Sequence, residues 1–256
     1  MTSWPIPQPL INLEHSFSSN ALDIEFQDFI AILNERERMI FESRVLPNSS
    51  EFTLEQIGDQ FGLTREAIRL SELRLLARIK DLKHKSFSFG LDVAHQFRGA
   101  IGIIAPVADL PETLVAKLQL PTGRLIRFLA GGYVFTNDGL ITERGTDVNI
   151  RGLLNSTILE SESSEAGIDE TDNLVNNLIT TGVVAWVADN LVRNSSYIGH
   201  FEAKSFVIPE SLNQKFKMYL RLTNSPSTPE DSMSFLVKYG QVNERSLKNS
   251  IAADPD

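Results

Sequence analysis

The stretch Thr53-Leu-Glu-Gln-Ile-Gly-Asp-Gln-Phe-Gly-Leu-Thr-Arg-Glu-Ala-Ile-Arg constrains this chain more than any other, because two helix starts and one helix stop fall within it. Thr53 followed three positions later by Gln56 is a capping box, in which both residues satisfy backbone N–H groups that a helix start leaves unpaired. Leu54, Ile57 and Phe61 line one side of the first helix. Gly62 supplies the left-handed residue that stops it, and Thr64 caps the next. Two helices joined by so short a turn bury a shared apolar stripe at a steep angle, the construction of a helix-turn-helix.

The second helix repeats Ile68, Leu75 and Ile79 on one face and places Arg65, Arg69, Arg74, Arg78 and Lys80 on the others. These cations matter because the rest of the chain is acidic. The net charge is −9, yet residues 61–90 sum to +4, whereas 21–60 sum to −6, 91–150 to −1, 151–200 to −5 and 201–256 to zero. Binding a phosphate backbone needs concentrated Lys and Arg, and only one stretch concentrates them. Arg65, Glu66 and Arg69 are expected near base edges in the major groove of duplex DNA, with Arg74, Arg78 and Lys80 near phosphates. The plainer reading is a solvated, arginine-rich helix.

This segment resembles region 4 of sigma-70-family factors, the part that reads the −35 promoter element. Leu33-Asn-Glu-Arg-Glu-Arg-Met-Ile-Phe-Glu-Ser-Arg is similar to that family's first helix, with an intervening loop of plausible length. Carried over position by position, Thr64, Arg65, Glu66 and Arg69 fall where the family contacts DNA. Ala67 and Leu70 depart from the polar residues common there, so the resemblance does not imply the same promoter sequence. It also implies docking on RNA polymerase, since region 4 contacts the enzyme's flap. Too little chain precedes the segment for the family's promoter-melting domain, and a complete sigma factor is not expected.

The expected fold is mainly α: a helix-turn-helix followed by winged-helix α+β units with short β-hairpins. Residues 1–24, with prolines and a Ser-Phe-Ser-Ser-Asn run, read as an extended arm. Residues 25–85 form the helix-turn-helix unit. Residues 86–160 run helix, strand (Ile101-Gly-Ile-Ile-Ala), helices after Pro111 and Pro121, then a hairpin signalled by Asn137-Asp-Gly. Arg124 and Arg127, on the third helix of this unit, are candidate DNA contacts. Residues 161–168 read as an acidic linker, 169–209 as a second winged-helix-like unit, and 210–256 as a three-helix unit. In the last, Ser246-Leu-Lys-Asn-Ser-Ile-Ala-Ala-Asp-Pro resembles the closing helix of a HARE-type winged helix, which in many relatives runs on into a wing hairpin, and Arg245 and Lys248 occupy the place of Arg124 and Arg127. Proteins combining such modules serve in bacterial or phage transcription, restriction and defence.

Other chemistries find little support. There is no cysteine, and His15, His84, His95 and His200 are scattered, so neither metal nor cofactor is expected. Asp109, Glu112 and Lys117 have the order of a nuclease triad, but the acids read as stabilisers of a helix N-terminus. Gly131-Gly132 reads as a helix stop rather than a phosphate cradle. Phe87, Phe89, Phe97 and Trp186 read as core. No secretory leader or apolar membrane span is evident, and a cytoplasmic protein is expected. The function expected is non-enzymatic: binding of double-stranded DNA, as a transcription regulator, or else docking as a subunit of a polymerase-associated or defence complex.

Overall fold

The computed structural model describes residues 6–48, 52–145, 150–160, 168–194, 196–202, 204–209, 211–223 and 229–239. The chain divides into two compact units, Met1–Thr146 and Asp147–Asp256. It is mainly helical, with two small antiparallel sheets of short strands among the described residues.

In the first unit, α1 (Gln8–Ser16), α2 (Asn20–Ala31) and α3 (Glu35–Ile40) lead through a π turn at Phe41–Val45 to α4 (Leu54–Phe61) and α5 (Arg65–Ser86). Then come α6 (Ser88–Ile101), β1 (Ile104–Pro106), a 3-10 turn, α7 (Glu112–Gln119), α8 (Pro121–Leu129) and the hairpin β2 (Val134–Phe135) and β3 (Leu140–Thr142). Strand β3 lies between β1 and β2, antiparallel to both, with Ala105 and Phe135 each opposite Ile141.

The expected extended arm is corrected by α1. Pro7 and Pro9 sit at the start of a helix, where a missing N–H breaks no bond, and Leu10 and Leu13 are fully buried. Lys117 Nζ donates to Ser18 Oγ at 2.8 Å, Ser16 Oγ donates to Gln96 Oε1 at 2.8 Å, and Thr113 hydrogen-bonds Glu14. The anticipated division after residue 85 is also absent. One apolar core runs from Phe26, Phe29 and Phe41 through Ile57, Ile68, Leu75 and Ile79 to Phe87, Leu91 and Leu125. Glu25 on α2 fastens the joint by accepting backbone N–H bonds from Phe89 and Gly90, at 2.9 and 2.8 Å, in the first turn of α6.

The second unit comprises α9 (Ile150–Glu160), β4 (Ile168–Glu170), α10 (Thr171–Thr180), α11 (Ala185–Asn194), β5 (Ile198–Phe201), β6 (Lys204–Val207), α12 (Leu212–Thr223) and α13 (Pro229–Lys238). The order from α9 to β6 repeats that from α6 to β3, again with the last strand central. The boundary thus precedes α9, which packs on α10 and β6, instead of falling at the acidic stretch. Residues 161–167 of that expected linker lie outside the described residues, and Ile168 begins β4. Helices α12 and α13 are not a separate unit either. Met218, Leu222, Phe235 and Tyr239 share a core with Ile168, Phe201 and Phe206 of the sheet. The expected third helix, with Arg245 and Lys248, lies outside the described residues.

Candidate nucleic-acid interface

Helix α4 starts as its sequence requires. Gln56 N–H donates to Thr53 Oγ1 at 3.1 Å, and Thr53 N–H donates to Gln56 Oε1 at 2.8 Å. It stops at Gly62, which adopts φ 62° and ψ 35°. A residue missed in sequence makes the turn this tight: a Cβ on Gly58 would lie 2.5 Å from the Leu63 carbonyl oxygen, while Leu63 N–H donates to the Gly58 carbonyl at 2.8 Å. The four-residue spacing of Gly58 and Gly62 across a helix end was the available signal. Ala67 N–H then donates to Thr64 Oγ1 at 3.2 Å, which caps α5.

Ile68, Leu75 and Ile79 of α5 are buried as expected, so the orientation of the 22-residue helix, about 33 Å long, is set. Ion pairs reinforce it. Glu72 pairs with Arg44 of the π turn at 3.0 Å, and Arg44 Nη1 donates to the Phe52 carbonyl at 3.2 Å. Arg78, expected at phosphates, is half-buried and held by Glu37 of α3 at 2.9 and 3.2 Å. Its guanidinium therefore ties α5 to α3 instead of standing alone on the helix surface.

The outward side carries the remaining charge. Thr64, Arg65, Glu66, Arg69, Arg74 and Lys80 are exposed. Among the described residues, Arg65, Arg74 and Lys80 have no carboxylate within ion-pair distance. Arg69 and Glu66 form a fork at 2.7–3.1 Å. The hydrogen bond holds the Glu66 carboxyl below the usual carboxylate range and the Arg69 guanidinium above its own, so both stay charged at neutral pH. The helix thus presents cations and one acid–base fork that can meet base edges and phosphates.

Arg127 is a second correction. It has no exposed surface, because Gly123, Ile126, Arg127 and Ala130 share the inward face of α8. Its guanidinium donates to Leu118 O at 3.1 Å, Tyr133 O at 3.1 Å, Asn48 Oδ1 at 2.6 Å and Pro47 O at 3.4 Å, and it stacks 4.7 Å from the Phe135 ring. Burial, with Arg124 nearby, pulls it down to about 10, which still leaves it protonated at neutral pH. Arg124 is half-exposed and donates to Asn48 O at 3.0 Å. Asn48, at φ 51°, completes the joint by accepting from Phe135 N–H at 2.9 Å and donating to Phe135 O at 3.1 Å. The loop before α4 is thereby clamped to the β2–β3 hairpin, a contact that sequence reading did not foresee.

Among the described residues no group of three or more His, Asp or Glu side chains could hold a metal ion, and no helix is long and apolar enough to cross a membrane. Lys117 is spent on α1, as described above. Phe87 and Phe97 are buried, with Phe87 against Phe29 and Phe97 edge-on to Tyr133.

Comparison with known proteins gives one match, over the helix-turn-helix alone. Residues 29–81 match the family model described as "Sigma-70, region 4", a DNA-binding helix-turn-helix of the transcription apparatus. The match spans α3, α4 and most of α5. No curated protein and no solved structure matches the chain.

Proposed function

We propose that the chain is a sequence-reading double-stranded DNA-binding protein that regulates transcription, with α5 as its recognition helix. The supporting observation is the concentration of exposed cations, Arg65, Arg74 and Lys80, on the outward side of a capped helix-turn-helix in a chain of net charge −9. In this reading Thr64, Arg65, Glu66 and Arg69 approach base edges, and Arg74 and Lys80 approach phosphates. The segments α6–β3 and α9–β6 are winged-helix modules, of which the first holds the helix-turn-helix rigidly through Asn48. RNA polymerase is the partner that the region 4 likeness suggests.

The test is selection of the full chain against a random duplex pool at two salt concentrations, with sequencing of what is retained. A short enriched motif, retained less well at the higher salt, is expected. No retention even at low salt would overturn the reading in favour of a protein-docking subunit, which the acidic balance outside residues 61–90 would suit.

A further inference from the structure

The outward side of α5 is not only charged. Leu70 is 40% exposed and Leu73 50%, both among the exposed large apolar side chains of the described residues. At ~100° per residue, Leu70, Leu73 and the exposed Ala77 lie about 180° from the buried Ile68, Leu75 and Ile79. The helix therefore carries a second apolar strip aimed directly away from the core. Its nearest polar neighbours are Glu66 and Arg69, which engage each other, while Arg69 and Lys80 flank the strip on one side and Arg74 on the other.

An apolar strip walled by cations suits one occupant better than another protein's apolar face, which offers those cations nothing. In the major groove of duplex DNA, phosphates line both walls, and the floor carries one apolar group, the thymine C5 methyl. Leu70 follows Arg65, Glu66 and Arg69 within two turns of the helix start, where a docked recognition helix lies nearest the floor.

We infer that Leu70 and Leu73 read thymine methyl groups, so that the target of α5 carries thymines at the positions these residues face. This rests on the proposed DNA reading. It makes the recognition partly hydrophobic: the leucines lose water against the methyls, while the cations fix the helix between the phosphate walls.

The probe is the duplex enriched from the random pool, synthesised once with thymine and once with deoxyuridine, which lacks only the methyl. The full chain should bind the uracil duplex about fourfold more weakly per methyl covered. The Leu70→Ala, Leu73→Ala variant should bind both duplexes alike, and a Leu70→Gln, Leu73→Gln variant serves as a second readout at these exposed positions. Circular dichroism should show both folded. Equal binding of the two duplexes by the unaltered chain overturns the inference while leaving DNA binding intact. A chain that sediments as a dimer and is dispersed by either double variant overturns it too, since the strip would then be covered by a second copy. Failure to retain any duplex removes both the inference and the reading beneath it.

Discussion

The two helix–hairpin segments, α6–β3 and α9–β6, share element order and strand order but treat the last arginine of their third helix in opposite ways. In the first, Arg127 is drawn into the core and surrounded by neutral oxygens and an aromatic ring. In the second, Arg193 of α11 stays on the surface, paired with Asp189 at 2.6 Å and Asp172 at 3.0 Å. Hydrogen bonds to those two acids hold it above its ordinary range, Asp189 foremost. One topology thus hides its cation and the other neutralises it. The first leaves only the half-exposed Arg124 on its third helix, against the several exposed cations of α5, so similar architecture does not imply similar ligand contact.

Substitution separates these two arrangements. Arg127→Met should cost about 3 kcal/mol, because it strands several buried acceptors at once, and urea unfolding of the full chain measures it. A loss below about 1 kcal/mol would mean that water replaces the guanidinium easily. Asn48→Ala should cost about 2 kcal/mol, combining the lost hydrogen bonds with the strain of an alanine at φ 51°. Asn48→Gly keeps the backbone relaxed and should recover part of that loss; equal losses would show that the amide alone matters. In the second segment Arg193→Met should change stability by less than about 1 kcal/mol, as exposed ion pairs do.

The second segment also carries a titratable group on its hairpin. His200 on β5 sets Nδ1 3.0 Å from Ser205 Oγ, and burial lowers its pKa below the ordinary 6.5, against hydrogen bonds to the backbone of Val192 and Arg193 that favour the charged form. The unfolded chain therefore takes up the proton first. This contribution to stability is present above pH 6.5 and is lost as pH falls from there through the folded value. The unfolding midpoint should fall on acidification through that window, and His200→Asn should reduce the fall. An identical fall in both proteins would place the titration elsewhere.

Much of the helix-turn-helix was legible because its signals are local. The capping box at Thr53 and Gln56, the left-handed Gly62 and the stripe Ile68, Leu75 and Ile79 each depend on neighbours within a few residues. The Asn137-Asp-Gly hairpin was legible for the same reason. What escaped depends on contacts distant in sequence. Arg78 looks like any surface cation until Glu37 is brought beside it. Asn48 reads as an ordinary turn residue, although its amide pairs with the backbone of Phe135. Arg127 does carry a local signal, since it falls with Gly123, Ile126 and Ala130 on one helical face, but its charge suggests the surface. The first helix escapes a sequence reading because prolines fit an extended chain and the first turn of a helix equally well.

In the proposed function DNA is read by α5 and not by the third helices of the two helix–hairpin segments. The most direct test is the affinity of the full chain for its selected duplex, compared with an Arg65→Ala, Arg69→Ala variant and with Arg193→Ala. The account predicts a loss of at least about tenfold for the α5 variant and no change for Arg193→Ala. A loss confined to Arg193→Ala, or equal binding by all three proteins, would contradict it.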